Sequence, residues 1–75
     1  MVVHGRKVDL VAIGLRIKKL RGNSLQEDLA TYLSVSQGHF SKIERGKIAP
    51  SLEILILLSE KFRKSVDWIL LGGGN

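Results

Sequence analysis

The chain contains no cysteine. Neither a disulfide nor a thiolate-bound zinc ion can staple it, so its stability must come from packed side chains. Histidine is limited to His4 and His39. Two histidines without a thiolate make a poor metal site, so neither a metal nor any other cofactor is expected. The longest apolar run, Ile54 to Leu58, is far shorter than the roughly 20 residues a bilayer-spanning helix needs. The opening stretch, MVVHGRKVDL, lacks the apolar core and cleavage site of a signal peptide. No internal repeat is present, and no segment alternates polar and apolar residues as a half-buried strand does. No membrane partner is expected, and a cytoplasmic location is.

What is present is one small domain. A length of 75 residues with 44% apolar content can close a single core, near the lower limit for independent folding. Twelve lysines and arginines against seven acids give a net charge of +5, which suggests an anionic partner. Many soluble domains are mildly basic, so the charge gains meaning only beside a recognisable surface.

The pattern predicts five helices. Residues 1–8 form a leader, either a frayed end or a basic arm. Asp9 is suited to cap a first helix that runs to Arg21, with Leu10, Ile13, Ile17 and Leu20 as its buried seam. Gly14 lies beside that seam, where a close approach by another helix would explain it. Arg16, Lys18 and Lys19 are expected outward, and Gly22-Asn23 ends the helix. Ser24 followed by Glu27 reads as a capping box for a second helix closed by Leu33. Ser36 caps a third helix ending at Arg45-Gly46. Ser51 caps a fourth over residues 52–62, and Ser65 a fifth from Val66 to Leu71. The expected fold is therefore all-α: a domain over 9–72, with a glycine tail at 73–75.

Residues 25–45 are the centre of this arrangement. Leu25, Leu29 and Leu33 recur at helical spacing with Ala30 beside them, and Ser34-Val35 makes a tight turn. Ser34 is expected at positive φ, which suits glycine better. Phe40 and Ile43 form the inward face of the third helix. Its outward face carries Gln37, Gly38, His39, Ser41 and Lys42, mostly slender groups able to exchange hydrogen bonds. Such a face suits base edges in a major groove. The serines and His39 suggest no catalysis, since no orienting carboxylate or enclosing pocket can be placed with them.

The same segments resemble the Cro/CI-type, or XRE, helix-turn-helix family. Gln26-Glu27-Asp28-Leu29-Ala30 is similar to the start of that family's second helix, and Leu33-Ser34-Val35-Ser36 to its turn. Phe40-Ser41-Lys42-Ile43-Glu44-Arg45-Gly46-Lys47 resembles the close of its recognition helix. Pro50 to Leu55 and Ser65 to Leu70 resemble its last two helices. The likeness spans about Leu10 to Gly72, with every piece in order. Three departures stand out. Ser24-Leu25-Gln26 replaces Leu-Ser-Gln, Ser34 replaces a common glycine, and Arg63-Lys64 replaces Gly-Val.

The resemblance implies a compact phage-repressor-like fold, with the helix-turn-helix at the second and third helices. It implies a non-enzymatic, sequence-specific regulator of transcription that binds double-stranded DNA, in a bacterial or phage setting. Gln26 would anchor to a phosphate. Gln37, Gly38, His39 and Lys42 would face base edges, and Ser36, Ser41, Arg45 and Lys47 would contact phosphates or set register. Arg21 and Glu44 would form an internal ion pair. The fourth helix is apolar nearly all round, with Leu52, Leu55, Ile56 and Phe62 on one face and Ile54 and Leu57 opposite. A homodimer seam from Ile54, Leu57, Trp68 and Leu71 is expected, matching a palindromic operator. Two other readings share the pattern: a protein-interaction module such as an antitoxin-like partner, and the N-terminal DNA-binding part of a longer repressor.

Overall fold

A computed structural model describes residues 2–3 and 6–73, with side chains from residue 8 onward. Met1, His4 and Gly5 of the leader, and residues 74 and 75 of the tail, lie outside that set. The described elements are β1 (Val2–Val3), β2 (Arg6–Lys7), α1 (Leu10–Arg21), α2 (Gln26–Tyr32), α3 (Gln37–Glu44), α4 (Leu52–Phe62) and α5 (Val66–Leu71). The domain is all-α, as expected. The leader differs: Val2 pairs with Lys7 and Val3 with Arg6 in a minimal antiparallel ladder. Two β-branched residues favour the extended backbone that such pairing needs. No described helix is long and apolar enough to cross a membrane.

One core joins the helices. Ile13 and Ile17 of α1, Phe40 and Ile43 of α3, Leu58 of α4 and Ile69 of α5 are fully buried. Leu29, Ala30 and Leu33 add the contribution of α2 and its end. α1 packs on α3 and α5, α2 on α3, and α4 on α5. Gly14 permits the first of these contacts. A Cβ there would run into the Glu44 carbonyl and lie 2.7 Å from that of Ile43. Only the absence of a side chain lets α1 lie against the backbone of α3.

Four helix starts are capped where the sequence placed them. Asp9 accepts from the amides of Val11 and Ala12, Ser36 from His39, Ser51 from Ile54 and Ser65 from Trp68. α2 is the exception. Its N-cap is Leu25, which makes no side-chain capping bond, so the capping box read at Ser24 and Glu27 does not form. Ser24 is instead held by its backbone: its amide donates to the Arg21 carbonyl at 3.1 Å. Its own carbonyl accepts from Arg21 Nη1 at 2.7 Å. Leu25 is 65% exposed and does not join the seam expected of it.

Two further expectations are corrected. Arg16 does not simply point outward: its Nη1 donates to the Ile69 carbonyl at 3.0 Å, tying α1 to the last turn of α5. In α4 the core takes Ile54, Leu55 and Leu58. Ile54, expected on a seam open to a second copy, is only 3% exposed and is spent within the protomer. The large apolar residues α4 leaves bare are Leu52, 77% exposed, and Ile56, 53% exposed. Leu57, Trp68 and Leu71 are half-buried.

Candidate nucleic-acid interface

The α2–turn–α3 unit sets the geometry. Leu33 closes α2, and Ser34 adopts φ 61, the left-handed conformation that the turn demands. The Val35 amide returns to the Ala30 carbonyl at 3.0 Å. Val35 then packs on the core just before Ser36 caps α3. At the far end Gly46, at φ 74, reverses the chain. Its amide donates to the Ile43 carbonyl and that of Lys47 to Lys42, the paired bonds of a Schellman ending. Both ends of α3 are therefore fixed by local chemistry.

With Phe40 and Ile43 buried, the opposite side of α3 turns to solvent. Gln37, Gly38, His39 and Lys42 are exposed there, with Arg45 and Lys47 beyond them. Ser36 is exposed at the N-cap, and Ser41 is half-buried on the side nearer α1. Arg45 Nε makes one long bond, 3.4 Å, to the Ser41 carbonyl. Nothing among the described residues explains Gly38: a Cβ there would meet none of their atoms within 4 Å, and its φ is not positive.

Beneath this face lies a buried polar cluster. Arg21 Nε and Nη2 donate to the two Glu44 carboxylate oxygens at 2.7 and 3.0 Å. The Glu44 side chain is 3% exposed and that of Arg21 14%. The hydrogen bond to Glu44, aided by its charge, raises the Arg21 pKa against the opposing effect of burial. The ion pair expected between helices one and three is thus present, and bidentate.

A third partner was not foreseen. Gln26 Nε2 donates to Glu44 Oε1 at 2.8 Å. One amide hydrogen of Gln26, expected to reach for a phosphate, is committed inside the protein. Its second hydrogen and its carbonyl oxygen are the groups it can still offer. Glu44 thereby connects α1, the start of α2 and the end of α3. The family resemblance implied the ion pair but gave no sign that a neutral amide would share the carboxylate.

The chain as a whole is similar to known proteins. Residues 15–69 match the family model described as Helix-turn-helix. Among solved structures, the chain is similar to the P22 c2 repressor protein in complex with a synthetic operator. The identity is 32% over 81% of this chain and 96% of that one, with a TM-score of 0.74. It is similar to the restriction-modification controller protein C.AhdI from Aeromonas hydrophila. There the identity is 26% over 83% and 97% of the two chains, with a TM-score of 0.70. The clp gene regulator ClgR from Corynebacterium glutamicum is 26% identical over 85% of this chain and 70% of that one, with a TM-score of 0.71. No curated protein matches the chain by sequence.

Proposed function

This chain belongs to the Cro/CI-type helix-turn-helix family of transcription regulators, and we propose that it is a sequence-specific repressor that binds a palindromic operator in double-stranded DNA as a homodimer. The observation that carries this reading is the outward face of α3, where Gln37, Gly38, His39 and Lys42 stand exposed on a helix fixed at both ends. Gln37 pairs with adenine through N6 and N7, and Lys42 donates to guanine O6 and N7. Gly38 lets the backbone come close. His39 borders the bases. Ser36, Ser41, Arg45 and Lys47 hold the phosphates, and Gln26 adds its remaining N–H. The net charge of +5 draws the duplex in. The action is binding alone, with no chemical step and no cofactor, in the cytoplasm of a bacterium or of a phage's host.

The homodimer rests on exposed apolar surface. Leu52 and Ile56 lie one turn apart on α4. An apolar groove of about 330 Å³, lined by Ala49 and Pro50 ahead of α4 and by Leu70 and Leu71 of α5, adds to it. This surface, with the half-buried Trp68 of α5, is the seam between two copies; Leu57, half-buried on another side of α4, lies off the stripe of Leu52 and Ile56.

Selection of bound sequences from random duplex DNA tests the reading. A palindromic motif should emerge, with half-sites about 34 Å apart. Lys42→Ala should relax preference at one base, at a cost of about 1–3 kcal/mol in discrimination. Lys47→Ala should weaken every site alike and lower the salt dependence by about one unit of slope. Failure to retain any duplex at about 50 mM salt, where phosphate contacts are strong, would sink the proposal.

A further inference from the structure

Val11, Leu15 and Lys18 recur on one face of α1. Val11 is 55% exposed and Leu15 59%. They form one wall of a groove of about 420 Å³ whose other wall is Ser41, Glu44 and Arg45 of α3, with Gln26 of α2 also lining it. The groove therefore lies directly beside the face of α3 that carries Lys42 and Gly38.

The chemistry of the groove is divided. Glu44 is its one acid, and that carboxylate is already engaged by Arg21 and Gln26. Lys18 and Arg45, both exposed, set the charge of the rim, and neither is in an ion pair among the described residues. The α1 wall below Lys18 is branched aliphatic. An occupant must be anionic at its outer edge and apolar along its flank. A deoxyribose–phosphate unit has both properties: a charged phosphate, and a sugar whose C–H faces pack on methyl groups. A duplex whose base edges face α3 carries one strand of its backbone past this side of the helix.

We propose that the groove between α1 and α3 seats one sugar–phosphate of the DNA backbone. Lys18 and Arg45 hold the phosphate, and Val11 and Leu15 pack against the deoxyribose. The proposal rests on the DNA-binding reading above, and it adds α1 to the contact surface.

Fluorescence anisotropy with a labelled mixed-sequence duplex, titrated over a series of salt concentrations, tests it. Lys18→Gln should make the slope of log affinity against log salt shallower by about 0.9, the loss of one phosphate contact. Leu15→Ala should lower affinity by about fivefold at every salt concentration with the slope unchanged, because it removes apolar contact and no charge. Lys19→Gln, one residue on and outside the groove, should alter the slope by much less. Both groove positions are solvent-exposed, so thermal melting of their variants should match that of the parent protein. If the parent binds duplex while Lys18→Gln keeps the full slope, or Leu15→Ala the full affinity, the groove is not a backbone seat and the DNA-binding reading stands. If the parent ignores duplex DNA in dilute buffer, both fall together.

Discussion

Two glycines inside helices show how one residue type can answer to different demands. Gly14 is required by packing, because the carbonyls of Ile43 and Glu44 occupy the space of its missing side chain. Backbone cannot step aside as a flexible side chain can. Gly14→Ala should therefore push α1 off α3 and cost about 1–3 kcal/mol or more, read as a fall in melting temperature. Gly38 has open space around it, yet a helical glycine is less stable than alanine by about 1 kcal/mol. The protein gains nothing from it. Gly38→Ala should raise the melting temperature while lowering DNA affinity, since the new methyl stands between α3 and the bases. A variant both more stable and equally tight on DNA would show that Gly38 has no role in close approach. Glu44 is the third decisive residue. Glu44→Ala would leave Arg21 without its counter-charge and Gln26 without its acceptor, at a cost of about 3–5 kcal/mol in denaturant unfolding. Because the Arg21 pKa is raised, that group's share of stability is complete below the ordinary arginine range and fades only above it. Its contribution should stay flat across neutral pH.

At the scale of helices, the sequence was readable wherever a single residue decides the outcome locally. Asp9, Ser36, Ser51 and Ser65 each bond to amides two or three residues ahead, so the chain itself specifies those starts. The start of α2 departs from the local pattern because the Ser24 amide, which a capping box would give to Glu27, goes to the Arg21 carbonyl, and Arg21 takes the Ser24 carbonyl while holding Glu44. That choice depends on residues 23 positions apart, beyond any local rule. Periodicity likewise grouped the apolar residues of α4 into faces but could not say which face was inside. The core's position settles that, and it took Ile54. The end of α4 bears a legible cost. Arg63 sits at φ 57 with ψ 42, a left-handed conformation in a residue with a Cβ. That geometry costs about 1–2 kcal/mol. Glycine returns part of the gain through its freer unfolded chain. Arg63→Gly should stabilise the domain by a net amount on the order of 0.5–1 kcal/mol, seen as a higher urea midpoint with an unchanged m-value. An unchanged midpoint would mean that Arg63 makes a compensating surface contact.

At the scale of the molecule, the domain is too small to read a long operator alone. It measures 35 Å along its greatest dimension and 24 and 21 Å across. Successive major-groove faces on one side of B-DNA are about 34 Å apart. Two copies side by side can therefore set their α3 helices one turn apart, provided a surface away from α3 joins them. Leu52 and Ile56 supply bare aliphatic area on α4, and Glu53 and Glu60 flank them in solvent. Replacing both aliphatics by glutamate would place like charges opposite one another across a two-fold axis, where every contact is repeated. The double variant Leu52→Glu, Ile56→Glu should sediment as a monomer. Measured at dilution where the parent is also monomeric, its unfolding free energy should stay within about 0.5 kcal/mol of the parent, because exposed positions away from packing contribute little to the fold of one chain. Operator affinity should fall steeply, since a monomer forfeits the second half-site, while binding to an isolated half-site should be unchanged. A variant that remains dimeric would move the seam elsewhere, and a parent that is monomeric even on its operator would remove the two-fold reading altogether.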